Sequence, residues 1–151
     1  MKKKQIMLAA LMIMGGTTLT QAQKFFPDLK KYSAEEKEVL DKSYANLLSA
    51  RDNEYIENTL AIVTMIKLDL PADQFPMIQN KIDTIAAQAA TSTIQYRAAL
   101  AKEVFAHTAI FKEEAAGHYT TTNALFSAIA GRAGKVSVSS NPTVVFKNDG
   151  K

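Results

Sequence analysis

Residues 33–71, SAEEKEVLDKSYANLLSARDNEYIENTLAIVTMIKLDLP, decide the fold class of this 151-residue chain. They open on Ser33-Ala34-Glu35-Glu36, a capping box, in which serine and the glutamate three residues on each accept the other's backbone N–H at a helix start. Behind it Val39, Leu40, Tyr44, Leu47 and Leu48 recur at the three-to-four spacing of one buried helical face. The polar group Arg51-Asp52-Asn53-Glu54 interrupts that face. Ile56, Leu60, Val63, Ile66 and Leu70 then form another, rotated from the first. The pattern predicts two helices, over about 34–50 and 54–69, with a tight connection. Pro71 ends the second, because proline disfavours helical geometry in the residue before it. A repeat array is excluded, since no second copy of this pair follows 34 residues on.

Downstream, Phe75-Pro76 restarts the pattern with proline suited to a first turn, and Ile78, Ile82, Ile85 and Ala89 make a third stripe. The next apolar set is Ile94, Ala98, Ala101, Phe105, Thr108 and Phe111. From Ala89 to Ile94 the chain turns about 500°, roughly 140° off the old face, which argues for a break near 91–92. Ser92 with Gln95 offers a second capping box there. A fourth helix is expected over 93–116, stopped by Gly117, and a short fifth over 124–130, capped by Asn123 and stopped by Gly131.

After Gly131 the pattern changes. Val136-Ser137-Val138-Ser139 alternates with period two, Thr143-Val144-Val145-Phe146 is β-branched and aromatic, and Ser140-Asn141-Pro142 lies between them as a turn. An isolated hairpin is marginal in water. Residues 132–151 therefore read as an extended, partly ordered tail, with a strand offered to a sheet edge as the sharper alternative.

The opposite end reads as an address. Lys2, Lys3 and Lys4 precede an apolar run from Ile6 to Met14, broken by Gly15-Gly16, and Thr20-Gln21-Ala22 places small residues where a signal peptidase cuts. That order predicts a secretory signal over residues 1–22, cleaved before Gln23. The run falls short of the roughly 20 residues of a membrane-spanning helix. The expected mature chain is periplasmic or secreted, soluble and bacterial.

Export also corrects the charge. The chain has 18 basic and 15 acidic residues, but three lysines and no acid lie in the signal, so the mature part is neutral. Attraction to nucleic acid or an anionic membrane is therefore not implied. Residues 53–130 carry net −3 and residues 131–151 net +3, so the end of the chain is a solvated basic tail or a dock for an acidic partner. With no cysteine, disulfides, thiolate metal sites, a cysteine nucleophile and a lipoprotein anchor are all excluded.

Few residues suggest chemistry. Glu103 precedes His107, and Glu114 precedes His118, each by four residues, so on a helix each pair shares a face and could supply two metal ligands. On one straight helix the two histidines would stand roughly 16 Å apart, too far for one ion. The Glu-x-x-His spacing of di-iron bundles is absent, and the pairs read as surface charge pairs. Gly131-Arg132-Ala133-Gly134-Lys135 glances at a phosphate loop, but Ile129 stands where the first glycine is needed and Val136 where a hydroxyl is. Glu35-Glu36 and Glu113-Glu114 are adjacent, about 100° apart on a helix, so neither pair can flank one bond. No Gly-x-Ser-x-Gly elbow exists. Tyr32, Tyr44 and Tyr55 near one helix connection read as core edges.

The resulting expectation is an all-α antiparallel bundle of about four helices, with a short fifth, over residues 23–131. An extended, β-like tail follows. No catalytic residue or cofactor is assigned. The expected role is non-enzymatic, a protein-interaction or chaperone-like function in the bacterial envelope with another envelope or secreted protein as partner. A metal- or haem-binding carrier using His107 or His118 is the alternative.

Overall fold

The computed structural model describes residues 29–139. The expected signal peptide with its cleavage site, and the strand-like run 143–146, lie outside the described residues. Six helices pack together: α1 (Ala34–Leu47), α2 (Asn53–Asp69), α3 (Pro76–Gln88), α4 (Ser92–Ala106), α5 (Lys112–Ala115) and α6 (Thr122–Ser139). Short 3-10 turns lie at Leu29–Lys31 and Thr108–Phe111, and no strand occurs among the described residues. The chain is all-α.

The helix starts follow local chemistry. Both bonds of the Ser33 capping box form: Ser33 N–H donates to Glu36 Oε2 at 2.8 Å and Glu36 N–H to Ser33 Oγ at 3.2 Å. Asp52 caps α2 by accepting from Tyr55 N–H at 3.0 Å. At α4 the cap is Thr91 rather than Ser92; Thr91 Oγ1 accepts from Ile94 N–H. Gln95 donates instead to Ala89 O, at 2.9 Å, which seals the end of α3. Thr121, not Asn123, accepts from Ala124 N–H at the start of α6.

Around α2 the packing departs from four equivalent amphipathic faces. Leu60, Ala61, Ile62, Val63, Ile66 and Leu68 are all buried, and so are Thr59, Thr64 and Lys67. Helices buried round their whole circumference sit at the centre of a domain. Accordingly α2 packs on α1, α4, α5, α6 and both 3-10 turns. Two of its buried hydroxyls are satisfied within the helix: Thr59 Oγ1 donates to Tyr55 O and Thr64 Oγ1 to Leu60 O, each at 2.7 Å. The other helices contribute Leu40, Tyr44 and Ala45 (α1), Ile78 and Ile82 (α3), Ile94, Ala98 and Val104 (α4), and Leu125 and Ile129 (α6). Val39, expected on the buried face of α1, is 44% exposed.

Two expectations are corrected. The helix predicted over 93–116 ends at Ala106, because His107 leaves helical geometry with ψ at 42°. The chain then makes a 3-10 turn that returns Phe111 to the core, at 2% exposure, before the single turn of α5. Phe105 and Phe111 are buried and Thr108 half-buried, so the period runs on through the bend and periodicity alone cannot detect it. The other correction concerns the expected stop at Gly131. Helix α6 runs through Gly131 and Gly134 to Ser139, so Val136-Ser137-Val138-Ser139 is helix and not strand, and an extended tail does not begin at residue 132. Glycine lowers helix propensity by about 1 kcal/mol but does not forbid it, and packing of the preceding turns carries the helix on.

Candidate functional site

The four residues with metal-ligand spacing are not brought together on one helix. Glu103 is exposed on α4, and His107 is the exposed cap after it, its N–H donating to Glu103 O at 2.9 Å. His118 is exposed in the connection between α5 and α6, three residues beyond the last residue of α5. Glu114 is instead buried, and its Oε1 accepts from Arg132 Nε of α6 at 3.1 Å. Among the described residues no three or more of His, Asp and Glu group as a metal ion requires. The phosphate-loop-like segment is part of α6, with Gly131 and Gly134 both exposed.

The polar groups placed most deeply are ones that their local sequence does not advertise. Asp41 on α1 is 5% exposed and reaches across to the start of α3. Its Oδ2 accepts from Met77 N–H at 3.0 Å and its Oδ1 from Ile78 N–H at 2.8 Å. Helix α3 starts at Phe75-Pro76 with no side-chain cap of its own. A carboxylate on two orphan N–H groups also suits the positive end of the helix dipole. The signal for it was a charge on an apolar face, since Asp41 aligns with Ala45 and Leu48 at helical spacing.

Lys67, also 5% exposed, lies among Ile66 and Leu68 near the end of α2. Its Nζ donates to Pro71 O at 3.0 Å and Asp73 O at 2.7 Å, and stands 5.9 Å from the centre of the Phe105 ring. Burial lowers its pKa, with the Asp73 carboxylate working against that shift. The Asp73 carboxylate is itself bound by Lys37 of α1 at 2.7 Å. One buried ammonium thus holds the whole turn between α2 and α3.

At the start of α6, Arg97 of α4 binds Glu57 of α2 and Asn123 of α6, and its guanidinium lies 6.0 Å from the Phe126 ring. Thr122 Oγ1 donates to Asn58 Oδ1 at 3.1 Å alongside. Towards the end of α6, Arg132 binds both Glu113 and Glu114. Tyr119 packs beside Gly117, where a Cβ would lie 2.5 Å from the phenol ring. Burial, and then the Glu114 carboxylate, raise the Tyr119 pKa. Tyr44 lies inside the core with its hydroxyl buried, not at a core edge as expected, while Tyr32 and Tyr55 are half-buried; burial followed by Tyr32 and Tyr55 raises the Tyr44 pKa strongly.

Chemically, this arrangement bonds helix to helix. Each of these ionic groups is directed at a carbonyl, an N–H or an opposite charge of another element of the same chain. Comparisons of the chain with family models, curated proteins and solved structures found no match.

Proposed function

We propose that this is an exported, non-enzymatic helical protein that works by binding another envelope or secreted protein, in an interaction or chaperone-like role. The supporting observation is the engagement of its strongest chemical groups in holding its own helices. Asp41, Lys67, Arg97 and Glu114 each bond another element of the chain. A carboxylate seated on two helix N–H groups cannot serve as a general base without unseating α3. What faces outward includes Tyr96 at 58% exposure, with Val39 and Met77 at 44% and Ile110 at 37%. Tyrosine supplies a large amphipathic contact and is over-represented among residues that dominate binding energy.

Site-specific photo-crosslinking in cells of the native organism tests this. A photo-reactive residue at position 96 should yield one dominant covalent adduct, and the same residue at Gln79, an exposed polar position on α3, should not. Equal, diffuse labelling at both positions would refute the interaction role at this surface. The metal- or haem-carrying alternative predicts stoichiometric metal or a haem band in native protein, lost in His107→Ala or His118→Ala. The interaction reading expects both variants to leave metal content and absorbance unchanged.

A further inference from the structure

Export leaves a particular residue at the front of the chain. Thr20-Gln21-Ala22 sets the cut before Gln23, so the exported chain begins Gln23-Lys24-Phe25-Phe26-Pro27-Asp28. Glutamine at a free amino terminus differs chemically from glutamine inside a chain. Its α-amino nitrogen is a nucleophile, and its own side-chain amide carbon is an electrophile within reach of an unstrained lactam ring. Holding both partners in one residue raises their effective concentration by orders of magnitude. An α-amino group has a pKa of about 8, so part of it is the unprotonated nucleophile near neutral pH.

The folded body stands apart from that chemistry. Leu29 is the first described residue and is 4% exposed, and its 3-10 turn packs on α2. Gln23 precedes it by six residues. Ring closure uses atoms of Gln23 alone, so the helices keep the same contacts before and after.

We propose that Gln23 is a modification site, at which the exported chain closes to an amino-terminal pyroglutamyl residue. The proposal rests on export and on the cut before Gln23. The α-amino nitrogen attacks Cδ of the same residue, forming an N–Cδ bond. The Cδ–Nε2 bond breaks, and ammonia leaves with a proton from the amine. Nothing is oxidised or reduced, and no co-reactant is consumed. A neutral lactam replaces an ammonium, which lowers the net charge by one unit. It also removes the free amine that an aminopeptidase requires, so Lys24 and Phe25 behind it are shielded from stepwise removal.

Mass spectrometry of the full exported chain, taken fresh from the native envelope, tests this. The mass should be that of a chain beginning at Gln23 less one ammonia. Fragmentation of the first peptide should place the loss on Gln23 and not on an asparagine such as Asn148. Amine-directed labelling should fail at the terminus until pyroglutamyl aminopeptidase removes the ring and exposes Lys24. Gln23→Ala should be cut at the same bond, keep a labelled terminus and focus one charge more basic. Its unfolding midpoint should equal that of the wild type.

A chain that begins at Gln23 with its amine free overturns the ring and leaves export standing. So does a ring that forms only on storage of the purified protein. A chain that begins at any other residue overturns the cut and the ring together.

Discussion

Replacing Asp41 should cost more stability than replacing any surface helix cap in this protein. Its carboxylate accepts from Met77 and Ile78 N–H at 3.0 and 2.8 Å, from a side chain that is itself buried. Hydrogen bonds to a charged group contribute about 1.5 kcal/mol or more each, so Asp41→Ala should lose about 3 kcal/mol. A domain of this size has about 5–15 kcal/mol in total. Asp41→Asn keeps one acceptor oxygen but loses the charge at the helix dipole, and should cost about half as much. Ser33→Ala removes an exposed capping box and should cost about 1 kcal/mol. Urea unfolding followed by circular dichroism measures all three. At a slope of about 1.5 kcal/mol per molar, Asp41→Ala should lower the midpoint by about 2 M. If Asp41→Ala costs no more than Ser33→Ala, α3 is not held by the carboxylate of α1 and the reasoning fails.

The alkaline limb of stability should carry two opposed contributions. Burial lowers the Lys67 pKa below its ordinary 10.5, so the folded chain releases that proton first and stability rises with pH up to about that value; Lys67→Met should abolish the rise. Burial raises the Tyr44 and Tyr119 pKa values above their ordinary 10.0, so the unfolded chain releases those protons first and stability falls above pH 10; Tyr44→Phe should reduce the fall, and an unaltered curve would contradict it. Gly117→Ala should destabilise by about 1–3 kcal/mol through its clash with the Tyr119 ring, and the cost should vanish in a Tyr119→Ala background, as a double-mutant cycle would show. Intact mass of the exported protein should report a chain that begins at Gln23; a mature species retaining Ile6 to Met14 would contradict the address and the neutral charge drawn from it.

The sequence by itself determined whatever depends on neighbours three or four residues apart. The Ser33 box, the Pro71 stop and the Pro76 start are all local encounters, and each stands where the pattern puts it. So do the buried stripes of α3 and α4, because a helix turns its apolar residues to one side wherever the core lies. Tertiary structure decided the rest. Nothing near Phe75 announces that α3 takes its cap from Asp41, 37 residues away from Ile78. The centrality of α2 depends on helices on several sides of it, and a stripe search records only its most regular face. His107 and His118 could be located but not placed, since a bend at residue 107 leaves the burial period intact. Glu114 meets Arg132 across 18 residues, and each alone reads as an ordinary surface charge. Beyond Gly131 local preference pointed to extended chain, and the helix persists because the turns before it are packed and the arginine after it is bound. Local hydrogen bonds are written in residue order, whereas a buried charge acquires its partner only when the chain has folded around it.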